Sequence, residues 1–404
     1  MNKNDDYQVL CGAADLQQTA GLPALLPFDE RVIAFLSALS GVLLKDKAAK
    51  AYPDIITFAF FCRRASLLQM RQEYEGELDS RVGRGMVFHI APGNVPINFA
   101  YSLAAGLLAG NGNVVKASSQ DFEQTRIVCD AMKALFDGEY SHLQRYVNVI
   151  TYPREMQALT ERLSDLCDVR IIWGGDETVR RVREASLPPF AFDVTFADRY
   201  SLLCLTPGAV LALAEEQLAA VAQGFYNDTF LSDQNACTAP RLVYWVSDDE
   251  EQTARGQERF WQAVHTYAAP RYPVEPVIAV DKLTALYRAA VTLPGARRMP
   301  MPDNLIARVQ VEAIGEALTG FRCAGGCFVE YVAADISALA DFVCRKVQTL
   351  SYLGLDPKEL RRFVREKGLR GIDRIVPIGK TMDFSLTWDG YDLIRTLSRR
   401  VQTL

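Results

Sequence analysis

Cys237 stands in the polar turn Ser232-Asp233-Gln234-Asn235-Ala236-Cys237-Thr238-Ala239-Pro240, immediately ahead of the apolar run Arg241-Leu242-Val243-Tyr244-Trp245. A thiol presented among amides and hydroxyls is placed to attack a carbonyl, leaving the acyl group on sulfur as a thioester. A free cysteine is also commonly a small buried hydrophobe, and the local residues leave both readings open. Acyl chemistry on Cys237 would need a donor for the tetrahedral oxyanion and, for a redox step, a dinucleotide site. The segment His89-Ile90-Ala91-Pro92-Gly93-Asn94-Val95-Pro96 offers the first. There the Asn94 amide either donates to such an oxygen or caps the helix that follows.

Two further turns offer the second. Lys116 closes the run Asn113-Val114-Val115-Lys116 and is followed by Ala117, Ser118 and Ser119. It is either a solvated charge or a contact to ribose hydroxyls or a 2′-phosphate. With Ser118 and Ser119 in place of an acid, a 2′-phosphate meets no like charge from this turn, so NADPH is tolerated and NADH is also possible. Gly174 and Gly175 lie between Ile171-Ile172-Trp173 and a helix start at Asp176-Glu177. Backbone amides there could face a pyrophosphate, although the full G-x-G-x-x-G spacing is missing and a plain strand-to-helix turn also explains the pair.

These turns need rigid elements behind them. Apolar runs at residues 86–90, 113–116, 146–151, 169–173 and 200–205 alternate with helical stretches at 95–108, 121–136, 154–167 and 177–185. The alternation predicts an α/β chain with parallel βαβ units in a doubly wound sheet, whose ligands bind beyond the carboxyl ends of the strands. The three turns follow such ends. Helical spacing of Val32, Phe35, Leu36, Leu39 and Leu43 predicts a helical N-terminal segment over 1–80, closed by the break Ser80-Arg81-Val82-Gly83-Arg84-Gly85. The expected division continues with a dinucleotide-binding domain at 81–225 and a second α/β, catalytic domain carrying Cys237 at 226–370. A C-terminal closing segment occupies 371–404. Strands are expected in the second domain at 240–246, 304–311 and 327–332.

Composition narrows the class. A chain of 404 residues is long enough for two domains. A net charge of -5 and the absence of a dense Lys/Arg stripe argue against nucleic acid as a partner. The longest apolar stretch, residues 95–110, is shorter than a bilayer span and broken by Asn98 and Gly106. No membrane span is expected, and the acidic start lacks the basic and apolar pattern of a secretory leader, so a cytoplasmic protein is expected. Nine cysteines, mostly single, suit reduced thiols; Cys323-Ala-Gly-Gly-Cys327 is the one close pair. With three histidines in the chain, no metal site is read. Nor does the sequence supply an evident Cys-His dyad.

Four motifs in fixed order carry a resemblance. They are Gly93-Asn94-Val95-Pro96; Gly106-Leu107-Leu108-Ala109-Gly110-Asn111 with Val115-Lys116-Ala117-Ser118; Asp233-Gln234-Asn235-Ala236-Cys237; and Arg374-Ile375-Val376-Pro377-Ile378-Gly379-Lys380 through Trp388-Asp389-Gly390-Tyr391-Asp392. From about residue 83 to 397 the chain resembles the acyl-CoA reductase family, the LuxC-type reductase component of the fatty acid reductase complex that feeds aldehyde to bacterial luciferase. That family is similar to the aldehyde dehydrogenase superfamily.

The resemblance implies an aldehyde dehydrogenase-like fold with Cys237 as acylated nucleophile, and Asn94 with the Cys237 N–H as oxyanion donors. It places Lys116 at the adenosine ribose or its phosphate and Gly174-Gly175 near the pyrophosphate. A fatty acyl-CoA or acylated partner protein would be reduced with NADPH. An acyl-protein synthetase subunit and a homo-oligomer are the further partners implied. Where aldehyde-oxidising members carry a glutamate that activates water, Val194-Thr195-Phe196-Ala197-Asp198-Arg199 has Thr195. A threonine cannot act as a general base near neutral pH, which favours reduction of the thioester over hydrolysis. Asp193 or Asp198 would restore a carboxylate if the register slipped. Aldehyde oxidation, or an acyl-accepting scaffold subunit without turnover, are the alternatives.

Overall fold

The computed structural model describes residues 7–13 and 15–403. They divide into two compact units, one built from the chain up to Ala197 together with Phe384 onward, the other from Asp198–Asp383.

The sheet of the first unit has the strand order Gln8–Gly12, Val147–Thr151, Gly112–Lys116, Met86–Ile90, Val169–Trp173, Phe192–Phe196. All neighbours are parallel except the edge strand Gln8–Gly12. Every residue of Met86–Ile90 and Val169–Trp173 is buried. Strands covered on both faces read as unbroken apolar runs, which is why these were legible. From Met86–Ile90 the chain winds to one side through Gly112–Lys116 and Val147–Thr151, then crosses to Val169–Trp173 on the other. That reversal opens a crevice beyond the carboxyl ends of the central strands. The first crossover helix is Asn98–Leu108, shorter than the expected 95–108, because Pro96 disfavours helical geometry at Val95.

Helix Glu30–Lys45 begins at Asp29, whose carboxylate accepts the N–H of Arg31 at 2.9 Å. It buries Val32, Phe35, Leu36, Leu39 and Leu43 in the core that also holds Val115, Val128 and Phe136. Each such side chain contributes roughly 1.5–3 kcal/mol. Phe384, Trp388 and Ile394 join the same core from the C-terminal end, with Phe384 4.7 Å from the Tyr101 ring and stacked on Trp388 at 5.0 Å.

The second unit holds a seven-stranded sheet ordered Arg297–Met299, Ala307–Gln310, Cys327–Ala333, Pro240–Val246, Tyr200–Leu205, Val347–Leu353, Arg374–Pro377. It is parallel except at the edge strand Arg297–Met299. Tyr200–Leu205, which the alternation grouped with the first series, is an inner strand here. All of it is buried, and it pairs with Pro240–Val246 and Val347–Leu353. Local pattern marks a buried strand but does not name its neighbours.

Glu330, on the inner strand Cys327–Ala333, is fully buried. Arg308 Nε donates to it at 2.6 Å, and the indoles of Trp245 and Trp261 donate at 2.8 and 3.0 Å. Among the described residues no helix is long and apolar enough to cross a membrane.

Candidate active site

The first unit brings six of the seven expected site residues to one cavity. Asn94, Lys116, Ser118, Ser119, Gly174 and Gly175 all line a space of about 560 Å³ beyond the strand ends, within the range of ligand pockets. Asn94 is exposed in the turn, and the following helix takes Ile97 as its N-cap, so the capping role falls away. The Ser118 hydroxyl donates to the Gly93 carbonyl at 3.1 Å and accepts the Gln120 N–H at 3.1 Å, which ties the Asn94 turn to the Lys116 turn. Ser118 is therefore a brace between the turns, while Ser119 is exposed.

Lys116 lies with its ammonium 4.9 Å from the Tyr152 ring centroid. Burial pushes its pKa down, and the Glu155 carboxylate from the next strand's loop opposes that shift. A carboxylate thus does stand near Lys116, supplied by a neighbouring loop where the sequence after Lys116 shows only serines. Gly175 is the N-cap of helix Asp176–Arg183. Asp176 and Glu177 occupy its first turn and would compete with a bound phosphate, while Arg154 and Arg181 supply positive charge to the same cavity.

Beneath the cavity runs a polar chain that pattern reading missed. Trp173 Nε1 donates to Ser102 Oγ at 2.9 Å, Ser102 Oγ lies 2.7 Å from His89 Nδ1, and His89 Nε2 lies 2.9 Å from Asn113 Oδ1. The Asn113 amide nitrogen donates to the Asn111 carbonyl at 2.7 Å, so its oxygen faces His89 and accepts. His89 is then a neutral imidazole with its proton on Nε2 and its Nδ1 accepting from Ser102. Burial lowers its pKa to about 4, against a smaller opposing effect from Asn113. The chain fixes Trp173, whose ring stacks on Phe196 at 3.7 Å. A lone histidine inside an apolar run was the only local signal.

Cys237 belongs to the second unit. Of the free cysteines, Cys11, Cys62, Cys129, Cys167 and Cys204 are buried, whereas Cys237 and Cys344 are partly exposed. Burial pushes the thiols of the buried five up, away from the reactive thiolate. The Cys237 turn follows helix Glu215–Thr229 and feeds strand Pro240–Val246. Ser201 Oγ donates to the Cys237 carbonyl at 2.7 Å.

Asp233 and Gln234 hold left-handed φ values of 50° and 59°, uncommon for residues with side chains. Fully buried Gln234 secures this turn. Its amide nitrogen donates to the carbonyls of Pro240 and Cys327, each at 2.9 Å. Its oxygen accepts the N–H groups of Gly326 at 3.1 Å and Cys327 at 2.9 Å.

Arg241 is the cation nearest in sequence that acts on this turn. It donates to the Gln234 carbonyl at 2.9 Å, and burial, reinforced by the nearby Arg322, pulls its pKa down. Its Nε and Nη1 are buried without a hydrogen-bond partner. The expectation of reduced thiols fails at one place: Cys323 and Cys327 form a disulfide.

Neither nearby carboxylate is idle. Asp193 accepts from Arg170 at 2.7 and 3.1 Å, and Asp198 pairs with Arg322. Thr195 lies on Phe192–Phe196, opposite Ile172.

Comparison with known proteins agrees with this architecture. Residues 13–278 match the family described as Acyl-CoA reductase (LuxC). The long-chain acyl-protein thioester reductase of Aliivibrio fischeri is 28% identical over 169 residues, 41% of this chain and 33% of that protein. The protein of the same name from Vibrio harveyi is 28% identical over 173 residues, 42% of this chain and 34% of that protein. The chain thus spans about a third of the length of the curated relatives it matches.

Among solved structures, the NAD-dependent benzaldehyde dehydrogenase from Corynebacterium glutamicum superposes with a TM-score of 0.60 at 15% identity, covering 99% of this chain and 95% of that one. Lactaldehyde dehydrogenase from Escherichia coli gives 0.60 at 11% identity, covering 95% and 87%. The fold is that of the aldehyde dehydrogenases.

Proposed function

Because the chain belongs to the acyl-CoA reductase (LuxC) family, we propose that it reduces a fatty acyl thioester to the fatty aldehyde through an acyl group carried on Cys237. The observation that carries the reading is the pairing of two features: a partly exposed cysteine in a polar turn, and a cavity at the strand ends lined by Asn94, Lys116, Ser118, Ser119, Gly174 and Gly175.

The Cys237 thiolate attacks the carbonyl of the donor, the thiol of the donor leaves, and the acyl group remains on sulfur. The Cys237 N–H donates to the carbonyl oxygen as it gains charge, and the family resemblance gives Asn94 the same role. A reduced nicotinamide dinucleotide would lie in this cavity, held by Lys116 at the ribose phosphate and by the Gly174-Gly175 turn at the pyrophosphate, with Arg154 and Arg181 supplying positive charge. Such a cofactor would supply a hydride to the acyl carbon; the carbon–sulfur bond then breaks, releasing the aldehyde and returning Cys237 as thiolate. NADPH is the proposed form. Thr195 in the place of the water-activating glutamate, with Asp193 held by Arg170 and Asp198 by Arg322, supports reduction over hydrolysis.

The acyl donor is proposed to be an acyl-CoA or an acylated protein, as the relatives' names suggest. An acyl-protein synthetase partner, a homo-oligomer and a cytoplasmic location are part of the same proposal.

The test incubates the purified chain with a series of fatty acyl-CoAs and NADPH or NADH, following aldehyde and cofactor together. Aldehyde should form in step with cofactor oxidation, and Cys237→Ala should lose both acyl labelling and aldehyde. Persistent labelling in that variant would sink the nucleophile assignment.

A further inference from the structure

We propose that the Cys323–Cys327 disulfide is a thiol-responsive site that positions the Cys237 turn for acyl transfer. The inference rests on the reading of Cys237 as the acylated nucleophile.

The disulfide closes a short loop that is fastened to the nucleophile turn along its length. Gly325 donates its N–H to the Asp233 carbonyl at 2.9 Å, and its own carbonyl accepts from Lys282 Nζ at 2.8 Å. Gly326 and Cys327 direct their N–H groups at Gln234 Oε1, and the Cys327 carbonyl accepts from Gln234 Nε2. Gly326 has φ +86°, and a Cβ there would lie 2.6 Å from Phe230 Cε1 and 2.7 Å from the Leu305 carbonyl oxygen. The loop therefore has one close-packed conformation in which its N–H groups converge on Gln234. The left-handed φ values of Asp233 and Gln234 persist because these contacts over-determine them. Breaking the sulfur link removes the covalent restraint on those donors, so the turn three residues before Cys237 is free to relax.

Access to the bond is asymmetric. Cys323 is partly exposed and lines a cavity of about 640 Å³ together with Asp233, Asn235 and Arg322. Cys327 is 2% exposed. An external thiolate attacks the Cys323 sulfur, the Cys323–Cys327 bond breaks, and the Cys327 sulfur leaves and takes a proton. A second external thiol then attacks the mixed disulfide, releasing Cys323 as a thiol and leaving the two external sulfurs joined. The net step consumes one protein disulfide and two external thiols and yields two protein thiols and one external disulfide. The chain keeps seven other cysteines as free thiols. In the cytoplasmic setting of the proposed function, a disulfide is usually transient, catalytic or sensing.

The experiment compares the full chain oxidised with diamide, the chain reduced with dithiothreitol and desalted, and the Cys323→Ser/Cys327→Ser double variant. Each is mixed with hexadecanoyl-CoA, and acyl-Cys237 is quantified by peptide mass over time. Iodoacetamide alkylation of Cys237 and thermal unfolding are measured in parallel. Reduction should slow acylation about tenfold or more, as misplacement of a reacting group does, without a matching loss of alkylation. Reoxidation should restore the rate, and the double variant should stay slow in either redox state. Equal acylation rates in the oxidised and reduced chain, or a disulfide that resists dithiothreitol in the folded protein, would overturn the proposal while leaving Cys237 as nucleophile. Absence of acyl-Cys237 in every form would remove the nucleophile reading and this inference with it.

Discussion

The side-chain oxygen of Gln234 lies 2.9 Å from the backbone nitrogen of Cys327, 93 residues away in sequence, and accepts its N–H. The same side chain donates to the Cys327 carbonyl at 2.9 Å, so the two residues exchange hydrogen bonds as paired strands do. The turn that carries Cys237 is thereby registered against the start of strand Cys327–Ala333.

Replacing Gln234 with Ala leaves the N–H groups of Gly326 and Cys327 and the carbonyls of Pro240 and Cys327 without this partner. Each buried unsatisfied group costs about 1–3 kcal/mol, and a total loss of roughly 2–4 kcal/mol in denaturant unfolding is expected after relaxation. Acylation of Cys237 should fall at least about tenfold in single-turnover measurements. A variant with full acylation would remove Gln234 from any positioning role.

On the proposed placement of a phosphorylated ribose at Lys116, the Glu155 carboxylate would oppose the lysine. Glu155→Gln removes an exposed negative charge near Lys116, so preference for NADPH over NADH should rise by about a few fold. Lys116→Met should move the ratio the other way. The check is kcat/KM for both cofactors at fixed acyl donor and ionic strength, and unchanged ratios in both variants would exclude this part of the cavity from the ribose phosphate.

Acid should unfold the chain partly through His89. Its pKa is lowered to about 4 in the folded protein against an ordinary value of 6.5, so between these pH values the unfolded chain binds the extra proton. The stability of the neutral, hydrogen-bonded imidazole is complete above about pH 6.5 and declines as pH falls toward 4. On the order of 3 kcal/mol is lost across that window. Unfolding followed at pH 7, 5.5 and 4.5 should show the decline, and His89→Gln should flatten it. Identical slopes for both proteins would assign acid sensitivity elsewhere.

Glu330→Gln should destabilise strongly although it preserves shape. Arg308, itself 5% exposed, would keep its charge without the carboxylate opposite it. Breaking one partner of a buried ion pair costs about 3–5 kcal/mol. The double variant Glu330→Gln/Arg308→Met should recover part of that loss in thermal unfolding, since the stranded charge is gone. A double variant as unstable as Glu330→Gln would argue that Trp245 and Trp261, not Arg308, depend on the carboxylate.

The inner strands Met86–Ile90, Val169–Trp173 and Tyr200–Leu205 are legible from residue type, because they are buried on both faces and burial is written directly into apolar runs. The turns around Asn94, Lys116 and Gly174-Gly175 are legible as well, since each follows a legible strand end, as is the polar setting of Cys237. Which strands are neighbours, so that Tyr200–Leu205 joins the second sheet, and which distant groups meet emerge from the packed fold. The Glu155 carboxylate beside Lys116, the neutral His89 between Ser102 and Asn113, and the Gln234 clasp on the disulfide loop all join segments separated along the chain. Periodicity and turn residues record what each segment buries locally. Hydrogen bonds and charge pairs between segments depend on register and packing, which no single segment encodes.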